Sequence, residues 1–168
     1  GNVGTDTISY TSATGAVTVN LSVFTVGGAE GSDSFGGFVN ILGSSAGSSL
    51  TGDSNGNSIT GGVGRDTVEG GLGADTMIGG GGTDLLSYAT ATGAVTVNLS
   101  VFTAGGAEDS DSISGFLNVL GGSTADNIIG DTNNNIIDGG LGADSLVGNG
   151  GTDTISYASA TGAVRVNL

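Results

Sequence analysis

The sequence contains no cysteine, histidine, tryptophan, proline or lysine. Without cysteine no disulfide can staple the chain, and cysteine usage gives no clue to the redox compartment. Without cysteine and histidine, zinc and copper lose their usual ligands. The only cationic side chains are Arg65 and Arg165, against 16 acidic residues, for a formal charge of −14. That balance excludes a nucleic-acid partner, and a compact state of this charge repels itself unless cations neutralise it. No apolar run approaches the ~20 residues that span a bilayer, and no basic start followed by an apolar stretch marks a signal peptide. Aromatic residues make up only 5% of the chain, too few to supply an ordinary globular core.

What is abundant is glycine, 36 of 168 residues, together with a hydrophobic fraction of 36%. Acidic, glycine-rich chains are often disordered. Here the apolar residues recur at fixed spacing, which disorder does not require. GTDTISYTSATGAVTVNLSVFTVGGAE, beginning at Gly4, returns as GTDLLSYATATGAVTVNLSVFTAGGAE at Gly82. GTDTISYASATGAVRVNL opens a third copy at Gly151. The interval from Gly4 to Gly82 exceeds that from Gly82 to Gly151 by nine residues, and nine is the elementary period.

Cutting at that period gives a single continuous array over residues 1–168, with pseudo-repeats at 1–78 and 79–147 and the start of a third at 148–168. Nonapeptides start at Gly1, Tyr10, Val19 and Gly28, and resume at Gly43, Gly52, Gly61, Gly70 and Gly79. The second unit follows the same scheme from Gly79, Tyr88, Val97 and Gly106. Hexapeptides, GFVNIL at 37–42 and GFLNVL at 115–120, interrupt the register. They are expected to offset it and to exchange which side faces which.

In this frame the sixth position holds Asp6, Asp33, Asp66, Asp75, Asp84, Asp111, Asp126, Asp144 and Asp153, nine of the 16 acidic residues. The eighth position is apolar almost throughout, as at Ile59, Val68, Met77, Leu86, Ile128 and Ile137. That spacing predicts a strand of about three residues with one inward side chain. Glycines at the first, second and fourth positions permit positive φ and expose carbonyl oxygens. A carboxylate two residues later completes a set of hard oxygen donors, the chemistry Ca²⁺ requires. Aspartate also favours turns for local reasons, but its fixed place beside paired glycines favours ligation.

GGVGRDTVE at Gly61, GGLGADTMI at Gly70, GGGGTDLLS at Gly79 and GGLGADSLV at Gly139 fit G-G-x-G-x-D-x-U-x, U being an apolar residue, at every defined position. On these residues the chain resembles the RTX, or repeats-in-toxin, calcium-binding β-roll family. The resemblance implies an all-β fold, a parallel β-roll or β-solenoid of stacked nonapeptides, two per coil, with Ca²⁺ between loops two repeats apart. It implies several ions. Asp66 would share one with Asp84, and Asp126 another with Asp144, helped by carbonyls of Gly62, Gly64, Gly80, Gly82, Gly140 and Gly142. Asp75 would pair with Asn57 and Asp153 with Asn135, where an amide oxygen holds an ion more weakly. Asp6, Asp33 and Asp111 have no acidic partner at that spacing.

The segments at Tyr10, Tyr88 and Tyr157 carry glycine where aspartate is expected, at Gly15, Gly93 and Gly162, and are not expected to bind calcium. Val17, Val19 and Leu21 alternate with Thr18 and Asn20, as do their counterparts from Val95. That alternation predicts a longer half-buried strand that widens the coil. The three tyrosines are expected to pack in the core.

Several function classes remain. The reading favoured by the sequence is a calcium-dependent structural scaffold. It would be a segment of a secreted bacterial surface protein such as an adhesin stalk, a surface-layer protein or an extracellular filament. One alternative is a calcium-triggered folding and export module of a type I secreted enzyme or toxin; another is a surface- or ice-binding solenoid. Catalysis within the segment is not expected, because the carboxylates are explained by the repeat and two arginines are the only cationic groups. Folding should depend on calcium, since ordering each residue costs about 1–2 kcal/mol of backbone entropy, with glycine losing most. The family resemblance implies secretion and folding outside the cell. The repeat pattern runs to both ends of the sequence, which suggests a longer array or end-to-end self-association into a fibre.

Overall fold

The computed structural model describes residues 4–28, 31–106, 109–163 and 165. Gly1, the expected start of the first nonapeptide, and Leu168 lie outside the described residues. Every regular element among them is a strand. In the first unit these are Thr7–Ser9 (β1), Val17–Asn20 (β2), Thr25–Gly28 (β3), Asp33–Ser34 (β4), Asn40–Leu42 (β5), Ser49–Thr51 (β6), Ser58–Gly62 (β7), Thr67–Glu69 (β8) and Thr76–Gly80 (β9). The second unit contributes Leu85–Ser87 (β10), Val95–Asn98 (β11), Thr103–Gly106 (β12), Asp109–Ser114 (β13), Asn118–Leu120 (β14), Asn127–Ile129 (β15), Ile136–Asp138 (β16) and Ser145–Val147 (β17). Thr154–Ser156 (β18) belongs to the third.

The strands form two nine-stranded sheets, and outside two excursions consecutive strands alternate between them. Strands two repeats apart pair in parallel: Ile59 sits beside Met77, Leu50 beside Val68, Ile128 beside Leu146 and Ile137 beside Ile155. The register step is therefore two nonapeptides. Most strands are three residues long because the turn takes the other six, and most of these bury their central apolar residue. Ile59, Val68, Met77, Leu86 and Ile128 are completely buried in one cluster that draws on both sheets. Ile155, on a sheet-edge strand with a neighbour on only one side, is 44% exposed.

The hexapeptides behave as shortened repeats. Each supplies one strand, β5 or β14, after a brief turn, and the alternation between sheets runs through them unchanged.

The frame that cuts nonapeptides at Val19, Gly28, Val97 and Gly106 does not survive. Those residues form antiparallel excursions: β2 pairs with β3 and β3 with β4, and β11 pairs with β12 and β12 with β13. The cause is local. The segments from Val19 and Val97 lack both the glycine pair and the sixth-position aspartate of a repeat turn, while the Val-Thr-Val-Asn alternation suits a hairpin arm closed by a four-residue turn. Val17 and Val19 are buried in β2 as the alternation predicts, whereas Leu21, also buried, lies in the turn. In the second unit β11 runs forward to pair with β15, the chain doubles back through β12, and β13 then pairs with β9.

Equivalent strands do not always occupy the same sheet. β1, β10 and β18 hold the same place in the three copies, but β1 lies in the sheet of β5, β7 and β9, while β10 and β18 lie in the other. The step from the first copy to the second exchanges sheets and the step from the second to the third does not, because the shorter unit makes one crossing fewer. The first excursion consequently joins one sheet and the second excursion the other. Deleting the nonapeptide 70–78 should bring both onto the same sheet. Cysteines placed at Val23 and Val101, the only thiols in the chain, would carry spin labels to read this. The inter-label distance should shorten in the deletion, and an unchanged distance would show that repeat parity does not set the face.

Candidate metal centre

Positions one to six of each full repeat form the turn that leaves one sheet for the other. At the second position Gly62 and Gly80 adopt φ of 133° and 107°. A side chain is excluded there twice over, since a Cβ on Gly80 would strike the carbonyl oxygen of Gly62, and one on Gly62 that of Ser44. Gly140 backs onto the carbonyl of Gly122 in the same way, Gly82 onto Gly64, and Gly142 onto Thr124. Gly64 packs against the backbone of Ala46 and Gly47. All six glycines expected to serve the ions thus lie where turns two repeats apart stack backbone on backbone. The Gly62 carbonyl accepts the Gly81 N–H at 2.8 Å and keeps a second lone pair.

The sixth-position carboxylates lie beneath these turns. Asp84 Oδ1 accepts the Asp66 N–H at 2.8 Å, and Asp144 Oδ1 accepts the Asp126 N–H at 3.0 Å. Asp75 Oδ1 accepts the Asn57 N–H at 2.7 Å, and Asp153 Oδ1 the Asn135 N–H at 2.9 Å. Each pair read from the sequence is therefore brought together, carboxylate to backbone, at the two-repeat step. The second oxygens differ. Oδ2 of Asp66, Asp75 and Asp84 is buried with no hydrogen-bond partner. Each lies under the first glycine of its own repeat; a Cβ on Gly61 would stand 2.6 Å from Asp66 Oδ2, and one on Gly79 2.7 Å from Asp84 Oδ2. Asp126, by contrast, has both oxygens engaged, Oδ1 by the Val95 N–H at 2.9 Å and Oδ2 by the Gly122 N–H at 2.6 Å. Asn57 and Asn135 direct Oδ1 to the N–H of Asp53 and Asp131.

A buried carboxylate oxygen without a partner costs about 1–3 kcal/mol or more when charged, and three of them occur in consecutive repeats. Burial raises the Asp84 carboxyl above its usual range against the Asp66 N–H, and raises Asp66 against the Ser48 N–H with the Asp84 charge adding to it. For Asp75 burial is again the first cause. The Asn57 N–H opposes it, and the charges of Asp111, Asp53 and Asp109 add to it, carrying the group to about 7. Among the described residues no three acidic side chains converge on one point. The donors offered are pairs of carboxylates with backbone carbonyls, all hard oxygen, a set that fits a divalent hard cation. Asp138 is the opposite case: although burial pushes it up, the Ser159 and Ser156 hydroxyls and the Gly140 N–H hold it below the usual carboxylate range.

Two features escape the nonapeptide frame. Asp111, assigned no acidic partner, meets Asp75 at a spacing of 36: its Oδ1 accepts the Asp75 N–H at 2.9 Å. The excursion adds the length of two further repeats before the register resumes. Tyr88, expected as core packing, is indeed buried, and its hydroxyl also donates to Asp111 Oδ2 at 2.7 Å. Burial and the Asp111 charge raise that phenol well above its ordinary value. The sequence did carry a signal, because Tyr10 and Asp33 stand as far apart along the chain as Tyr88 and Asp111. Tyr10 is likewise raised by burial and by Asp33.

Stacked glycine turns over buried oxygen donors define a repeat protein suited to hard cations. Residues 51–86 and 120–155 each match the family model of the RTX calcium-binding nonapeptide repeat (4 copies). Those two stretches match the RTX family, whose nonapeptides bind calcium. No curated protein matches the chain. Both antiparallel excursions fall outside the matched residues.

The raised carboxyls fix the sign of a pH effect. Asp75 titrates at about 7 in the fold against 3.8 ordinarily, so between those values the folded state holds the extra proton. Its contribution to stability is complete below the ordinary value and is lost as pH rises through about 7. In chelator, residual folded structure read by circular dichroism should be greatest near pH 4 and should be lost as pH rises through about 7. In calcium the trend should reverse, because the ion displaces that proton. Parallel profiles with and without calcium would contradict the assignment.

Proposed function

We propose that the segment is a calcium-dependent scaffold of a secreted bacterial surface protein, such as an adhesin stalk, a surface-layer protein or an extracellular filament. The observation that carries this reading is the unpartnered, buried Oδ2 atoms of Asp66, Asp75 and Asp84 in a chain of charge −14. One ion joins Asp66 and Asp84 with carbonyls among Gly62, Gly64, Gly80 and Gly82, and another joins Asp126 and Asp144 with Gly140 and Gly142. Asp75 with Asn57 and Asp153 with Asn135 form weaker sites. The two sheets then close on their shared buried cluster as a roll of two repeats per coil, continuous along the chain. Each ion ties adjacent coils and its binding energy is folding energy. The match to a repeat family found in secreted bacterial proteins supports an extracellular setting, where calcium is plentiful. That match supports a calcium-triggered folding and export module equally well; the two readings share the mechanism and differ in self-association.

Small-angle scattering and sedimentation in calcium, in magnesium and in chelator test this. Calcium alone, at ~10⁻⁴–10⁻³ M, should convert an expanded chain into a compact rod. Lengthening of that rod with protein concentration favours the fibre over the export module. The double variant Asp66→Asn with Asp84→Asn should raise the calcium midpoint at least about tenfold, or ~1.4 kcal/mol. A rod equally compact in chelator would remove the calcium mechanism.

A further inference from the structure

The hairpin turns of the excursions have no part in the calcium scheme, yet the excursions repeat almost residue for residue. Each hairpin closes through Leu-Ser-Val-Phe, at 21–24 and 99–102. The leucine is buried, but Phe24 is 49% and Phe102 57% exposed, each beside an exposed valine. Both phenylalanines adopt the left-handed backbone, with φ of 55° and 60°. An aromatic residue is strained there and glycine or asparagine is not; in a chain so rich in glycine, the strain is concentrated where an aromatic ring faces solvent.

Beside each ring lies a groove. One of about 580 Å³ has Leu21, Ser22 and Phe24 in its lining together with Asp53, Ser54 and Asn55. The second, of about 510 Å³, is lined by the corresponding Leu99, Ser100 and Phe102 with Asp131, Thr132 and Asn133, and has further apolar lining from Ile113, Phe116 and Leu117. The polar walls are alike and pre-ordered. Asp53 accepts the Asn55 N–H at 2.8 Å and its carboxamide at 3.0 Å; Asp131 accepts the Asn133 N–H at 2.7 Å and its carboxamide at 2.8 Å. No basic residue lines either groove among the described residues.

The lining narrows the ligand. An anion meets a carboxylate, no cation and an overall charge of −14. A wholly apolar ligand would strip water from the aspartate and the asparagine without replacing it. A groove of this volume is far larger than a bare ion. A sugar ring suits both parts of the lining, with its C–H face against phenylalanine and its hydroxyls donating to the carboxylate and exchanging bonds with the carboxamide. We propose that each groove binds a neutral pyranose of a polysaccharide. The grooves sit at the ends of strands in different sheets, so one chain would join two polysaccharide strands. The proposal needs the calcium-loaded fold but not a fibre.

The test is affinity electrophoresis of the calcium-folded chain through gels containing dextran, laminarin, xylan or galactan, with polygalacturonate as the anionic control. Circular dichroism in the same buffer confirms the fold. The mobility of the chain should fall with at least one neutral polysaccharide. Phe24→Asn or Phe102→Asn, which suits the left-handed turn, should halve the number of sites titrated with an oligosaccharide of that polymer. Substituting both should abolish binding, and Phe102→Tyr should preserve it. Unaltered mobility of the folded chain in all four neutral gels would overturn the proposal. So would retardation that persists in the double asparagine variant, or retardation by polygalacturonate alone, which would indicate calcium bridging.

Discussion

Burying a carboxylate without a partner is among the more costly things a fold can do, and this one does it in three successive repeats. Asp66, Asp75 and Asp84 each give one oxygen to a backbone N–H two repeats away and hold the other in a dry space beneath a glycine. Glycine is required above that space because a Cβ would meet the carboxylate, and required beside it because turns two repeats apart stack backbone to backbone. The three-residue strands follow, since six of every nine residues are committed to the turn. So does the thin core, with one inward side chain per strand. The divalent cation of the proposed function would remove the electrostatic penalty that this geometry creates.

Where no ion is called for, the chain uses other means. Asp111 is bonded by the Tyr88 hydroxyl, and Asp138 by two serines. These sites hold the register at the excursions and near the C-terminal end of the described residues. The excursions themselves are displayed on alternate sheets by a difference of one nonapeptide, so the repeat count acts as a selector of face.

The repeat, the strand length and the inward residues were legible in the sequence because each rests on local spacing, whereas the pairing of strands two repeats apart came from the family resemblance alone. The hexapeptides were legible as interruptions but not as short repeats that keep the alternation. The hairpins were misread. Val17, Val19 and Leu21 alternate as a strand does, but nothing local says that the chain will turn at residues 21–24 and pair with itself. From that error came the failure to pair Asp111 with Asp75, whose contact depends on how far the excursion displaces the chain. The distinction between Asp84, with a bare oxygen, and Asp126, with none, depends on the conformation of the second-position residue. No composition or period encodes that.

The most direct test is denaturant unfolding at a series of free calcium concentrations, with magnesium as control. The account predicts an unfolding midpoint that climbs with the logarithm of calcium, and no response to magnesium. The steepness should fall when Asp66, Asp75 and Asp84 are replaced by asparagine. A midpoint indifferent to calcium, in a chain already folded in chelator, would contradict it and leave the aspartates as turn formers only.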